Sequence, residues 1–143
     1  MFFGRFQHSL DAKGRVILPS RFRVAFDTVA YLSQHVEGCL ALWTPDVFAK
    51  QIDEMLEHQG RGRAERNVAR YWAAGLVEVE MDRQGRVAIP SYLRTFAQLE
   101  SEVLVVGALD RIELWHPPDW ETQVGPSAAD FRGAPQPEAG VPA

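Results

Sequence analysis

Two short segments of this chain carry the residues best suited to chemistry, and they are nearly the same segment. LDAKGRVILPSRFR at 10–23 returns 71 residues later as MDRQGRVAIPSYLR at 81–94. In each copy a glycine follows an aspartate by three residues, and an arginine comes directly after the glycine. Arginine offers a planar fork of N–H donors that pairs with a phosphate or with the edge of a guanine. The repeated pattern therefore favours recognition of an anionic or hydrogen-bonding ligand at two equivalent places.

The residues between each aspartate and its arginine predict a tight turn. Asp11 and Asp82 stand at the first turn position, where a carboxylate accepts a hydrogen bond from the backbone two residues on. Gly14 and Gly85 suit a turn position with φ above zero. Because apolar residues flank both sides, we predict that each turn closes a hairpin.

The arginine that leaves each turn admits two interpretations. Arg15 has Lys13 beside it, and Arg86 has Arg83. Each arginine is either a solvated strand residue or a guanidinium held ready for a base edge or a phosphate, and the residues alone leave both open. A catalytic carboxylate pair is not expected, because the two aspartates belong to equivalent turns of different copies.

Other motifs of catalysis or cofactor binding are missing from the sequence. Cys39 is the only cysteine and lies in an apolar stretch, which favours a buried hydrophobic role. The histidines lack metal-ligand spacing: His8, His35, His58 and His116. There is no nucleophile elbow and no glycine-rich nucleotide fingerprint. We therefore expect no catalytic residue, metal, cofactor or small-molecule substrate.

A second basic run follows in the middle of the chain. Its members are Arg61, Arg63, Arg66 and Arg70. A solvated helix face is the preferred interpretation, and phosphate contacts or an ion-paired subunit interface are the alternatives. The tryptophans at 43, 72 and 115 are expected to anchor the core or an interface, with base stacking as the minor alternative.

The charge of the chain is unevenly distributed. The net charge is −4, which by itself argues against nucleic acid, but 13 of the 15 basic residues precede residue 95. Residues 1–94 are thus slightly basic and residues 95–143 acidic, so a local basic face remains compatible with the total.

The period of 71 residues predicts two copies of one small domain. Each copy is marginal for a separate core, so the halves should pack together or oligomerise. Each half is expected to run strand, strand, helix, strand, strand, helix. The predicted divisions are a first repeat at 1–58, a connecting helix at 59–76, a second repeat at 77–124 and a disordered Gly/Pro/Ala-rich acidic tail at 125–143. No stretch has the length of a signal peptide or membrane span, so a cytoplasmic location without membrane contact is expected.

These residues and their spacing resemble the MraZ family, bacterial transcriptional regulators built from two tandem AbrB/SpoVT-type domains. The likeness covers about residues 1–124. It implies a mixed β/α fold of swapped-hairpin half-barrels forming one pseudo-two-fold barrel, with helices between and after. It also implies a regulator of the cell-division and cell-wall operon, including its own gene, that binds repeated upstream boxes of double-stranded DNA and assembles into a ring-shaped homo-oligomer at the nucleoid. The DNA-binding residues it implies are Arg15 and Arg86, assisted by Lys13 and Arg83.

A second function stays open. The AbrB-like fold also serves antitoxins, which bind DNA at one end and a toxin through a disordered tail, and residues 125–143 would allow such a role. Against it, that segment offers few large apolar anchors beyond Phe131. The alternative is therefore an antitoxin or a protein-interaction module.

Overall fold

A computed structural model describes residues 1–26 and 29–135 of the chain. Strands and helices alternate in two similar series joined by a pair of long helices. In chain order they are β1 Arg5–Ser9, β2 Arg15–Ile17, α1 Ser20–Arg23, β3 Val29–Gln34, β4 Leu40–Trp43, α2 Pro45–Gln59, α3 Arg63–Gly75, β5 Val77–Glu80, β6 Arg86–Ala88, α4 Ser91–Ala97, β7 Glu102–Gly107, β8 Ile112–Trp115, α5 Pro117–Gln123 and α6 Ser127–Gly133. The mixture of sheet and helix that the sequence predicts is confirmed.

The strands form two antiparallel sheets in which the halves exchange partners. Six strands follow the order β1-β7-β8-β4-β3-β5, so each edge strand belongs to one half and pairs with the other half. At one edge Phe6 pairs with Val105, and at the other Ala30 pairs with Val79. The second sheet is a two-stranded ribbon of β2 and β6, called the ribbon below. Neither half therefore completes its own sheet.

This exchange corrects the prediction that each turn closes a hairpin. The turn at 11–14 does form between β1 and β2, but β1 pairs with β7 and β2 pairs with β6. The turn at 82–85 likewise separates β5, which pairs with β3, from β6. The alternation of buried and exposed residues in a strand is the same whichever strand pairs with it, so local sequence could not identify the partner.

One hydrophobic core lies between the ribbon and the inner face of the large sheet. Its largest almost completely buried side chains come from both halves: Val16, Leu18, Phe22, Leu32, Leu40, Leu42, Val87, Ile89, Leu93, Val103, Val105, Ile112 and Leu114. Each such side chain stabilises the fold by about 1.5–3 kcal/mol relative to exposure. The expectation that two small halves pack together is confirmed.

The outer face of the large sheet is covered differently in the two halves. The α2–α3 pair packs Phe48 and Trp72 against Trp43, whose indole N–H donates to Ser33 at 2.8 Å. In the second half the short helix α5 places Trp120 against Trp115. These tryptophans are packing residues, as expected.

The predicted disorder after residue 124 is wrong for part of that segment. Residues Ser127–Gly133 form α6, a short helix with no buried residue, in which Phe131 is 82% exposed. Residues 136–143 lie outside the described part of the chain.

Candidate nucleic-acid interface

Each repeated turn is built by its aspartate and its glycine. In the first turn, residues 11–14, the backbone N–H of Gly14 donates to the carbonyl of Asp11 at 3.0 Å, and Gly14 has φ of +73°. In the second turn, residues 82–85, Gly85 donates to Asp82 at 2.9 Å with φ of +77°. A side chain at such φ values is strained, which accounts for the glycine. The predicted turn chemistry of all four residues is thus present.

The aspartate does more than shape its turn, because it also holds the arginine that follows. One Asp11 carboxylate oxygen accepts the backbone N–H groups of Lys13 and Arg15, each at 2.9 Å. The other oxygen accepts the Nε–H of Arg15 at 2.7 Å. The arginine is therefore fixed at both its backbone and its side chain, a contact that turn chemistry alone does not predict.

The second turn repeats this arrangement. Asp82 accepts the backbone N–H groups of Gln84 and Arg86 at 2.9 Å and the Nε–H of Arg86 at 2.8 Å. Both arginine side chains are 26% exposed. Within the described residues their terminal Nη groups make no hydrogen bond, so the planar end of each guanidinium is available for two parallel hydrogen bonds.

The hydrogen bonds lower the pKa of both aspartates below the ordinary value of 3.8. The largest cause is the backbone hydrogen bond from the arginine, and the arginine side chain and a second backbone N–H add to it. Partial burial acts in the opposite direction. Each carboxylate therefore stays ionised at neutral pH and keeps holding its arginine.

The ribbon brings the two arginines onto one exposed face. Val16 pairs with Val87 at its centre, and both side chains are buried beneath it. Arg15 lies opposite Ala88, and Arg86 lies opposite Ile17. Residues two apart in a strand share a face, so both arginines point outward as diagonal neighbours, about 7–8 Å apart at their backbones.

The turns stand at opposite ends of the ribbon and carry further basic side chains. Lys13 in the first turn and Arg83 in the second are exposed, and within the described residues neither takes part in an ion pair. The four residues predicted to bind DNA therefore lie around one surface, which we call the ribbon face: Lys13, Arg15, Arg83 and Arg86.

Two contacts with the turns were not predicted from the sequence. Arg23 of α1 packs its side chain against Gly85, and Arg94 of α4 packs against Gly14. Each arginine thus contacts the turn of the other half. The repeat marks both residues, because Arg23 and Arg94 occupy equivalent positions in its two copies. Their contacts, however, depend on the tertiary fold.

The second basic run does not join this surface. Arg61, Arg63, Arg66 and Arg70 are exposed on or just before α3, which covers the outer face of the large sheet, whereas the ribbon covers its inner face. The preferred interpretation of a solvated helix face agrees with that placement.

Three further observations on the described residues concern metal binding, the cysteine and membrane crossing. No cluster of three or more histidine, cysteine, aspartate or glutamate side chains among them could hold a metal ion. Cys39 is buried, and burial raises the pKa of its thiol. Among the same residues, no helix combines the length and the apolar character that crossing a membrane requires.

Comparison with known proteins matches almost the whole chain. The model of the family described as "MraZ protein, putative antitoxin-like" matches it twice, at residues 1–71 and 73–138. The second match extends beyond residue 124, where the likeness was expected to end. A protein of Lactiplantibacillus plantarum named transcriptional regulator MraZ is 37% identical, over 92% of this chain and 93% of its own. Proteins of the same name from Acetivibrio thermocellus and Alkaliphilus metalliredigens are 37% and 38% identical, over 87% and 84% of both chains.

Proposed function

Because this chain belongs to the MraZ family, we propose that it is a transcriptional regulator, not an enzyme, and that it binds double-stranded DNA through the ribbon face. The observation that carries the proposal is the pair of guanidinium groups on one narrow two-stranded ribbon, each held by its own aspartate. The names of the relatives support the regulatory role.

The dimensions and chemistry of the ribbon suit the major groove of DNA. That groove admits a two-stranded β-ribbon, and arginine pairs there with the O6 and N7 atoms of guanine. Since the aspartate occupies Nε, the free Nη pair of Arg15 or Arg86 is the part that reaches the base. Each such contact discriminates against the wrong base by about 1–3 kcal/mol. Lys13 and Arg83 add phosphate contacts at the two ends.

The finer architecture belongs to the same proposal. The exchanged strand pairs and the shared core support two swapped-hairpin half-barrels of the AbrB/SpoVT type in one pseudo-two-fold barrel. We place the first repeat at 1–58, the connection at 59–76 and the second repeat at 77–124. A boundary inside the α2–α3 pair fits the family matches, which meet at residue 72.

We further propose that the target is a set of repeated boxes upstream of the chain's own gene, in the operon for cell division and cell-wall synthesis. A ring-shaped homo-oligomer in the cytoplasm, at the nucleoid, would present several ribbon faces at once. When one of several linked ribbon faces is bound, the effective concentration of the others at the DNA is high. Weak single contacts are therefore sufficient for tight binding. The resemblance supports both points, together with two equivalent heads in one chain.

The test is fluorescence anisotropy with a labelled duplex of the region upstream of the gene and a scrambled duplex, at two salt concentrations. We expect wild type to prefer the upstream duplex and Arg15→Ala/Arg86→Ala to lose the preference. The matched control is Arg63→Ala/Arg66→Ala, which removes two exposed arginines from the opposite side of the large sheet. Binding without sequence preference, or a preference that survives the ribbon double variant, would contradict the assignment.

An antitoxin-like or protein-interaction role is the second candidate. It is favoured by the family description and by α6, which presents Phe131 in a helix with no buried residue. If a small protein co-purifies with the full chain but not with Phe131→Ser, this candidate gains. A chain that purifies alone and binds the upstream duplex leaves the regulator as the function.

A further inference from the structure

The two turns are held in place by the half to which they do not belong. The backbone N–H of Ile89 donates to the carbonyl of Gly14 at 2.9 Å, and that of Leu18 donates to Gly85 at 2.9 Å. The glycine of each turn is therefore attached to the strand of the opposite half. These bonds continue the ribbon at both ends and make each turn part of the other half's structure.

A side chain of the opposite half completes each attachment. A Cβ atom at Gly14 would lie 2.8 Å from Cζ of Arg94, closer than real Cβ contacts come. A Cβ atom at Gly85 would overlap the guanidinium of Arg23 in the same way. Only glycine lets a planar guanidinium lie directly against the turn backbone, so the absence of a side chain here serves a close contact as well as the positive φ.

We propose that Arg23 and Arg94 are crossed positioning residues: Arg23 fixes the turn that presents Arg86, and Arg94 fixes the turn that presents Arg15. The inference rests on the proposed function and deepens it, since it names what aims each reading arginine. Neither Arg23 nor Arg94 is assigned a DNA contact. Each acts through the glycine directly before a reading arginine.

The geometry makes this coupling strong. The glycine and the reading arginine are adjacent in the chain, so a shift of the turn moves the arginine backbone, the aspartate and their hydrogen bonds together. Hydrogen bonds to a base weaken steeply outside about 2.7–3.2 Å and away from a linear arrangement. Two parallel bonds from one guanidinium are more demanding than one, and a small displacement of the turn therefore reduces base selectivity first.

The two positioning arginines are not equally held. Nε of Arg23 donates to the carbonyl of Leu18 at 2.9 Å, which ties the guanidinium to its own half. Nε of Arg94 is buried and has no hydrogen-bond partner among the described residues. The contact between Arg23 and the second turn is therefore the firmer one, and its removal should cost more.

A double-variant cycle in the full chain tests the crossed assignment. Anisotropy with the upstream duplex is measured for Arg23→Ala, Arg15→Ala, Arg86→Ala and the two combinations with Arg23→Ala. We expect each single variant to weaken binding about ten-fold. Arg23→Ala/Arg86→Ala should bind within about two-fold of Arg86→Ala, while Arg23→Ala/Arg15→Ala should lose about a hundred-fold. Coupling of Arg23 with Arg15, or with neither, overturns the proposal.

Two controls separate positioning from charge. Arg21→Ala removes the same charge from the same helix, where that side chain lies 5.3 Å from the ring centres of Phe3 and Phe6 and not on a turn. Arg21→Ala should leave the coupling between Arg23 and Arg86 unchanged. Arg23→Lys keeps the charge but not the planar group, so it should bind like Arg23→Ala. Full recovery by lysine would mean that Arg23 acts by charge, which overturns the proposal.

A measurement without DNA distinguishes a failure of this inference from a failure of the proposed function. The Nε–H signals of Arg15 and Arg86 can be followed by NMR in arginine-labelled protein and assigned from the two alanine variants. In Arg23→Ala, the Arg86 signal should shift and exchange faster while the Arg15 signal stays. Equal changes at both sites, or none, would refute crossed positioning. Wild type that binds neither duplex would instead refute the DNA-binding function.

Discussion

The two turns of the ribbon face share a geometry but not a charge pattern. In both, the aspartate makes the same three hydrogen bonds with distances that agree within about 0.1 Å. The tips differ, since Lys13 directly precedes Gly14, whereas Gln84 precedes Gly85 and the basic residue is Arg83. The two copies thus share the hydrogen bonds that position the arginine and differ in the charged residues around it. Positioning the arginine requires specific short contacts, whereas an exposed charge attracts DNA from many positions.

The largest effect should come from filling a turn glycine. Gly85→Ala meets a φ of +77° and the Arg23 side chain together, while Gly38→Ala meets a φ of +94° with no atom within 4 Å. The shared backbone penalty is about 1–2 kcal/mol. We therefore expect both variants to lower the melting temperature, but only Gly85→Ala to weaken binding to the upstream duplex. Equal loss of binding in Gly38→Ala would show that general stability, not the turn, governs recognition.

Gly14→Ala extends that comparison to the first turn. Its contact is with Arg94, whose Nε has no partner among the described residues and is freer to move aside. We expect a smaller loss of affinity than in Gly85→Ala. A larger loss of affinity in Gly14→Ala would contradict the prediction that Arg23 is held more firmly than Arg94.

The next effect concerns selectivity more than affinity. Asp11→Asn removes a negative charge, which by electrostatics alone should strengthen binding to any DNA. It also weakens the hold on Arg15, which should reduce the preference for the upstream duplex over the scrambled one. We expect the ratio of the two affinities to fall while binding to scrambled DNA is retained or increased, and Asp82→Asn to behave alike through Arg86. An unchanged ratio would mean that the carboxylate does not aim the arginine.

The sequence was sufficient to predict the turns because turn chemistry is local. Asp11 reaches its bonding partners within four residues, and the positive φ of Gly14 follows from the same short segment. The mixed β/α class and the helices of the middle region are also local consequences of periodicity and of Pro45 at a helix start.

The partners of the strands and of the helix arginines could not be predicted in this way. Val16 is buried and Ile17 exposed whichever strand lies beside them, so the pattern does not reveal that β2 pairs with β6. Arg23 contacts Gly85 only because β2 of one half pairs with β6 of the other. The repeat marked these positions as important, but their contacts are set by long-range packing.

A smaller effect should follow from exchanging the tip charges. Lys13→Gln removes one exposed charge from the first turn, and Gln84→Lys adds one at the equivalent place in the second. Each should change affinity for upstream and scrambled DNA by a similar factor and change the salt dependence by about one counterion, in opposite directions. Titrations at several salt concentrations measure both. If either variant changes the preference between the duplexes, the side chains at positions 13 and 84 contact bases. The prediction that they contribute only charge would then be wrong.

The smallest difference between the halves should appear in the titration of the two aspartates. The same groups lower both pKa values, with the arginine backbone as the first cause in each. Carbon-13 NMR of the carboxyl groups should therefore give midpoints below 3.8 for Asp11 and Asp82 alike. A folded pKa below the unfolded one stabilises the turn above the unfolded value, and this contribution disappears as pH falls through the folded pKa. The hydrogen bonds that the two carboxylates accept from Arg15 and Arg86 should thus be fully present at neutral pH and be lost together in acid. Separate midpoints, or one at its ordinary value, would show that the halves differ in the aiming itself as well as in the charges around it.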